Sequence, residues 1–418
     1  MNNYYLPYHR SKLCFRLPKG VTPDTYSPSK TPTIINPAQS TSDSFKQLQN
    51  VSHINFENTQ KNSVAIAIND NTRPMPYQHL LPPLLDWLSE IGVPPSEITF
   101  FVASGTHKSL NQDEIKQLLP ENIVNNYEVL SHNCDSQEEL IYIGKTRLGT
   151  PVLINRKYYQ SDYKIVIGNI EPHHFMGFSG GVKTASIGLA GRDTIIQKHK
   201  MLLLPEAKAG KYFSNPMRMD IEEIGEMIGI QLALNVILNE EKQIIDVFVG
   251  TPKNVMEIGL EKVRNLMMTK LPVLYDIVIA SAGGFPKDIN LYQAQKAMTH
   301  ASYFVRDGGI IVLAAACSEG FGNLLFENLI KSVSNREAIF KYFLTHPFEI
   351  GPHKALQIAK ITQSIEIFLI SEINPEIPAF LINTAPTIEQ ALNQTGILNR
   401  EGLRIAILPS ATLTIPDI

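Results

Sequence analysis

Cysteine is scarce in this chain of 418 residues: Cys14, Cys134 and Cys317 are scattered, with no CxxC pair. That argues against a disulfide framework or a thiolate zinc site and fits a reducing compartment. There is no excess of positive charge. The net charge of −3 and pI of about 6.4 leave no basic footprint for nucleic acid. Long apolar runs are missing too; the longest, IIVLAAAC at 310–317, is far too short to cross a bilayer. The opening MNNYYLPYHR has no basic segment followed by an apolar one, so no signal peptide is expected. No HExxH or similar metal-ligand spacing occurs, and no repeat of fixed period. These absences leave a soluble cytoplasmic protein, without nucleic-acid or membrane partners, as the expectation.

What is present is an ordinary globular mix, 44% apolar and 18% charged, at a length suited to two domains. Residues 20–45, rich in Pro, Ser and Thr, read as a surface excursion and not as a link between domains. SVAIAIN (63–69), a helical pattern at 77–92 and ITFFVAS (98–104) then give strand, helix, strand, the signature of a parallel sheet. YKIVIGNI (163–170) reads as a further buried strand. A second cycle starts near 273, with strands in VLYDIVIASAGG (273–284), GGIIVLAAACSEGFG (308–322) and LRIAILPSA (403–411). Between the first two lies a helix at 291–305, with Asp288 or Asn290 as its cap. The fold class expected is α/β: two α/β domains with mostly parallel sheets, divided into 1–270 and 271–418.

Ligands of parallel sheets bind beyond the carboxyl ends of the strands. The first three strands named exit into Asp70-Asn71-Thr72-Arg73, into Ser104-Gly105-Thr106-His107-Lys108, and into Glu171-Pro172-His173-His174 followed by a glycine loop. The next cycle adds Tyr292, Gln293 and Lys296, of which Tyr292 and Lys296 share a helix face. Each has a plain reading as well. Asp70 and Arg73 could be a local ion pair, His107 an exposed loop residue, and adjacent histidines such as His173 and His174 point apart. The loop HHFMGFSGGVKT (173–184) nearly spells a P-loop, with Gly177, Lys183 and Thr184 in place. Val182 stands where that motif needs glycine, and no acidic partner strand is found. Gly177, Gly180 and Gly181 still suggest backbone N–H groups drawn close to an anion.

Taken together, DNTRPMP (70–76), ASGTHK (103–108), EPHHFMGFSGGVKTASIG (171–188), His199 and GGFPKDINLYQAQKA (283–297) resemble the nickel-dependent lactate racemase family, in order and in spacing. The resemblance implies an active site in the cleft between the two domains. It implies a cofactor, the nickel-pincer nucleotide (Ni(II)-pyridinium-3,5-bisthiocarboxylate mononucleotide), supplied by cofactor-biosynthesis enzymes as partners. By position, Lys183 resembles the lysine joined covalently to the cofactor, and His199 the protein ligand to nickel. His107 and His173 resemble the two acid/base histidines. Asp70, Asn71, Thr72, Arg73 and Gly188 resemble cofactor contacts. Arg73, Tyr292, Gln293 and Lys296 resemble the groups that hold the substrate. The N-terminal domain would then carry the lysine, the nickel ligand and both histidines, and the C-terminal domain the remaining substrate contacts.

The activity so implied is racemisation or epimerisation of a 2-hydroxy acid, lactate or a related one. It would proceed by proton-coupled hydride transfer through a planar 2-keto acid. The C–H bond beside a carboxylate is a very poor acid, so leaving as hydride while a histidine takes the hydroxyl proton is the easier path. Two places depart from the family pattern. Ile187 stands where many relatives have Pro, and Leu356 where lactate-type members can carry a large aromatic, which opens the question of substrate size. The alternatives are a different enzyme on the same scaffold, a nucleotide- or carboxylate-binding protein, and a metal-dependent hydrolase built on His107 and His173.

Overall fold

A computed structural model describes residues 2–18, 20–27, 32–49, 63–239, 241–346, 349, 351–372, 377–396 and 402–417. The chain divides into two compact units, one of Lys30–Leu266 and one of Met1–Ser29 with Met267–Ile418.

The Lys30–Leu266 unit is built on a six-stranded sheet. Its strands lie in the order Ile244–Gly250, Leu232–Leu238, Tyr163–Asn169, Val64–Asn69, Ile98–Ala103 and Glu128–Ser131. All neighbours are parallel except the first pair. Val64–Asn69 is buried at every position, which is why it reads as an unbroken β-branched and alanine run and not as an alternating one. Helix Tyr77–Glu90 buries Leu80, Leu81, Leu84, Trp87 and Leu88 on one stripe against the sheet residues Val64, Ile66, Ile68, Phe100 and Val102. Because the three central strands run parallel, Asn69, Ala103 and Asn169 leave the sheet along one edge, and Asn69 and Ala103 are direct register partners.

The second unit has its own six-stranded sheet, parallel throughout. Its central strands are Val305–Ala314, Tyr275–Ser281 and Ile405–Leu408. Helix Leu291–Ser302 follows Tyr275–Ser281 and buries Leu291, Ala294, Ala297, Met298 and Ala301.

Two expectations change here. Residues 1–29, assigned from sequence to the N-terminal domain, belong to the C-terminal unit. The hairpin of Asn3–Tyr8 and Ser11–Arg16 supplies Leu6, Tyr8, Phe15 and Leu17 to the core around Ile277, Ile279, Val312 and Ile407. Strand Asp24–Thr25 then pairs with Ile405–Leu408 at the sheet edge. The stretch 20–45 is therefore no surface excursion, since the passage between the units falls inside it. After that passage, helix Pro37–Gln49 stacks Phe45 on Trp87 at 5.1 Å. Its sequence, PAQSTSDSFKQLQ, is too polar to announce a helix; buried Phe45 and partly buried Leu48 dock it on the core.

Candidate active site

The exit of Val64–Asn69 turns sharply, with the Arg73 N–H donating to the Asp70 carbonyl at 3.1 Å. Tyr77 fixes the turn by donating its hydroxyl to the Asn69 carbonyl at 3.0 Å. Asp70 is buried and its carboxylate is fully engaged. Oδ1 accepts the Thr72 hydroxyl at 2.6 Å and the Thr72 N–H at 3.2 Å, and Oδ2 accepts Nδ1–H of His107 at 2.7 Å. The carboxylate is thus spent on histidine and threonine, not on the ion pair with Arg73 that sequence proximity suggested. Burial alone would raise the Asp70 carboxyl, but the bonds from His107 and Thr72 outweigh it and hold the carboxyl below its usual range. The same bond raises the His107 imidazole above its ordinary value, against the opposing effects of burial and the Arg73 charge.

This geometry sets a tautomer. With Nδ1–H directed at Asp70, neutral His107 keeps its lone pair on Nε2, the arrangement of a general base with a carboxylate behind it. His107 sits in the turn after Ile98–Ala103, its N–H bonded to the Ser104 carbonyl at 3.0 Å. The same turn is tied to the lysine helix, since Gly105 N–H donates to the Gly188 carbonyl at 2.9 Å. Gly188 has to be glycine: a Cβ there would lie 2.5 Å from the Cβ of Ala103.

His173 is set the other way. Strand Pro172–His173 pairs with Gly177–Phe178 in a tight hairpin, and within it Nδ1 of His173 accepts the Met176 N–H at 3.3 Å. Neutral His173 then carries its proton on Nε2. His173 and His174 do not diverge as expected for adjacent side chains. The hairpin turn stacks their rings at 4.6 Å, with Phe175 edge-on to both.

The glycine loop departs from the anion-cradle expectation. A Cβ on Gly177 would fall 1.6 Å from the Lys211 carbonyl oxygen, and one on Gly180 would meet Ile170 and Asn235. The Gly181 N–H is taken by Asn235 Oδ1 at 2.6 Å and the Ser179 N–H by the Glu171 carbonyl at 2.8 Å. These glycines let the loop press against its own protein. Arg218, fully buried, holds it from behind by donating to the carbonyls of Phe178 and Gly180, each at 3.0 Å. No local sequence signal marks Arg218 or Asn235 as partners of this loop; both are distant in the chain.

The loop delivers Lys183 to the start of helix Lys183–Gly188, with Thr184 donating to the Ile167 carbonyl at 3.1 Å over the sheet edge. Lys183 is buried, and its Nζ has no hydrogen-bond partner among the described residues. Burial drives its pKa well below the ordinary lysine range; the charges of Arg73 and Arg218 add to this and Glu171 opposes it. His199, on helix Arg192–Lys200, donates Nδ1–H to the Ile195 carbonyl at 2.7 Å, which puts the lone pair of the neutral ring on Nε2. Burial first, with the nearby Lys198 charge adding to it, lowers the His199 pKa against the opposing bond to Ile195. Phe175 lies between the histidine groups, 6.0 Å from His199 and 4.6 Å from His173. This unit thus gathers Asp70, Thr72, Arg73, His107, His173, Lys183 and His199. Asn71 lies exposed in the same turn.

In the other unit, Asn290 caps helix Leu291–Ser302 by accepting the Gln293 N–H at 3.0 Å. Asp288, the alternative cap, is instead buried and accepts the His9 N–H at 2.6 Å. Gln293 is exposed, while Tyr292 and Lys296 are partly buried one turn apart. Sequence reasoning missed Lys354, two residues before the buried Leu356. Its Nζ sits 5.2 Å over the Tyr292 ring and donates to Gln295 Oε1 at 2.9 Å. The stretch GPHKALQIA had drawn notice only for Leu356.

No group of three or more His, Cys, Asp or Glu side chains that could hold a metal occurs among the described residues. No described helix is long and apolar enough to cross a membrane.

Most of the chain is similar to known proteins. Residues 8–210 match the family model for the lactate racemase N-terminal domain, and 272–415 that for the lactate racemase C-terminal domain. The chain is 28% identical to the lactate racemase of Lactiplantibacillus plantarum over 357 residues, 84% of each chain. It is 29% identical to that of Thermoanaerobacterium thermosaccharolyticum over 355 residues, 82% of each. The apoprotein structure of a lactate racemase from the latter organism superimposes with a TM-score of 0.85 at 24% identity, over 99% of both chains. A Thermotoga maritima protein shares the fold more loosely, with a TM-score of 0.60 at 17% identity over 92% of this chain and 98% of its own.

Proposed function

The chain belongs to the lactate racemase family, which makes it an isomerase, and from that premise we propose that it inverts C2 of a 2-hydroxy acid, lactate or a close relative, with a nickel-pincer nucleotide bound at Lys183 and His199. The observation that carries this reading is Lys183. A buried amine held well below its ordinary pKa, with no hydrogen-bond partner among the described residues, is pushed toward its neutral, nucleophilic form. Such a group suits a covalent anchor better than a charge contact. His199 would hold the nickel through one imidazole nitrogen, and the pincer group would supply soft donors beside it.

Held by Lys183 and His199, the pincer nucleotide would supply reversible hydride-accepting chemistry next to C2. The protein supplies position and protons. Arg73 engages the carboxylate with a fork of two N–H donors, and Tyr292, Gln293 and Lys296 provide further contacts. His107 Nε2 takes the hydroxyl proton of one enantiomer, and Asp70 stabilises the imidazolium that forms. His173 would serve the other enantiomer: as imidazolium it gives its Nε2 proton to the oxygen on C2 on the return step, and with Nε2 unprotonated it takes that proton in the reverse direction. Each of these requires Nδ1 to carry a proton and release the Met176 N–H. Two histidines with opposite hydrogen-bond settings fit a substrate whose hydroxyl is presented differently in its two enantiomers.

The test is to co-produce the protein with cofactor-building enzymes and record the intact mass and metal content. The expected result is an adduct on Lys183 with stoichiometric nickel, absent from Lys183→Met. Racemisation by protein that carries neither adduct nor nickel would overturn the cofactor assignment.

A further inference from the structure

Lys354 is a buried cation that the roles above leave unused. It opens helix His353–Ile361 and is 7% exposed. Among the described residues it has one hydrogen-bond partner, Gln295 Oε1 at 2.9 Å. Gln295 is itself buried and donates Nε2 to the Thr299 hydroxyl at 2.7 Å, so its carbonyl is committed to the lysine. An ammonium has three N–H donors, and one amide oxygen does not satisfy it. The nearest acting charge has the same sign: Lys296, on the facing helix. Tyr292 and His353 close the surroundings, their rings 6.1 Å apart. His300 is held down to about 3, by burial first and then by Lys296 and Lys354. Helices Leu324–Ser332 and Arg336–Thr345 also pack on the Lys354 helix, but none of their charged side chains acts on its amine. A fold that buries Lys354 beside a second lysine, with no carboxylate among the described residues bonded to its amine or acting on it, leaves a local charge imbalance at Lys354 that a bound anion would correct.

We propose that Lys354 is a substrate-binding residue, the second cation of a two-lysine clamp that closes with Lys296 and Tyr292 on the carboxylate of the 2-hydroxy acid. This rests on the assignment of Lys296 and Tyr292 to the substrate carboxylate. Burial and the Lys296 charge lower the Lys354 amine to about 7 in the free protein. The arriving carboxylate offsets the repulsion from Lys296, and Lys354 takes a proton from solvent. Above its free pKa, binding is therefore coupled to proton uptake; well below it the amine is already charged and the coupling vanishes.

The experiment is titration of the full-length apoprotein with lactate in buffers of different ionisation enthalpy, which reads affinity and proton uptake together. At pH 8 the wild type takes up close to one proton per lactate, about 0.5–1, and at pH 5.5 essentially none. Lys354→Met loses the uptake and binds about tenfold more weakly, while its unfolding midpoint is unchanged or raised, because a buried charge has been removed. Lys354→Arg binds without uptake. Lys354→Met with wild-type affinity and uptake would overturn the inference while leaving the carboxylate assignment intact. Wild-type binding by Lys296→Met would instead bring down that assignment itself.

Discussion

Lys183 and Lys198 lie in the same unit, both buried, on successive helices, and their surroundings differ in one respect. Lys198 meets Asp220 at 2.8 Å with both side chains fully buried, and the carboxylate is further bonded by the Thr150 hydroxyl at 2.8 Å. Burial lowers Lys198 only to about 8, because Asp220 opposes it, so it remains an ammonium at neutral pH. Lys183 has arginines as its dominant charged neighbours and no hydrogen-bond partner among the described residues, and burial first, then those charges, drive its pKa well down. A paired buried lysine is a structural rivet that fixes the helix carrying His199. A buried lysine with no such bond has reactivity to offer. Lys354 in the other unit is intermediate, bonded to an amide and, among the described residues, to no carboxylate.

Substitution separates the two kinds sharply. Lys183→Met should abolish racemisation, a loss of at least about a thousandfold. Its unfolding free energy should stay within about 1 kcal/mol of wild type or rise, since the amine leaves no partner behind. A destabilised but active Lys183→Met would erase the distinction. Asp220→Ala should do the reverse. Stranding Lys198 as an uncompensated buried charge costs about 3–5 kcal/mol in urea denaturation, and whatever activity is lost should follow the unfolded fraction and a displaced His199.

The smallest effect concerns the two histidines, which differ as the lysines do, one backed by a carboxylate and one by a backbone amide. His107 must be neutral to accept a proton. Asp70 raises its pKa, so the acid limb of kcat in the direction that uses this base lies above the ordinary imidazole range. Asp70→Asn removes that effect and should move the limb to lower pH. Long-range nitrogen-15 spectra of the apoprotein should show the proton on Nδ1 of His107 and on Nε2 of His173. The same tautomer at both positions, or a limb that does not move, would remove the asymmetry.

Much of this was legible in the chain itself. The strands around SVAIAIN, ITFFVAS and YKIVIGNI follow from apolar runs of strand length bounded by polar exits. Because the strands are parallel, Asp70, His107 and His173 leave the same sheet edge. Other features were not legible, for reasons that can be named. Helix Pro37–Gln49 is too polar for its pattern to show, and the N-terminal hairpin returns to a core formed more than 250 residues later, as in the His9 to Asp288 bond. Arg218 and Lys354 carry no motif, and what makes them notable is what surrounds them.

The sequence by itself determined the family, the parallel α/β architecture and which side chains exit the strands, because periodicity and motif spacing are properties of the chain. Tertiary structure alone decided protonation: which lysine has a carboxylate, which histidine nitrogen holds its proton, and that the glycines of the lysine loop serve close packing. Those depend on desolvation and on hydrogen bonds between residues far apart in sequence, and both arise only when the chain is folded.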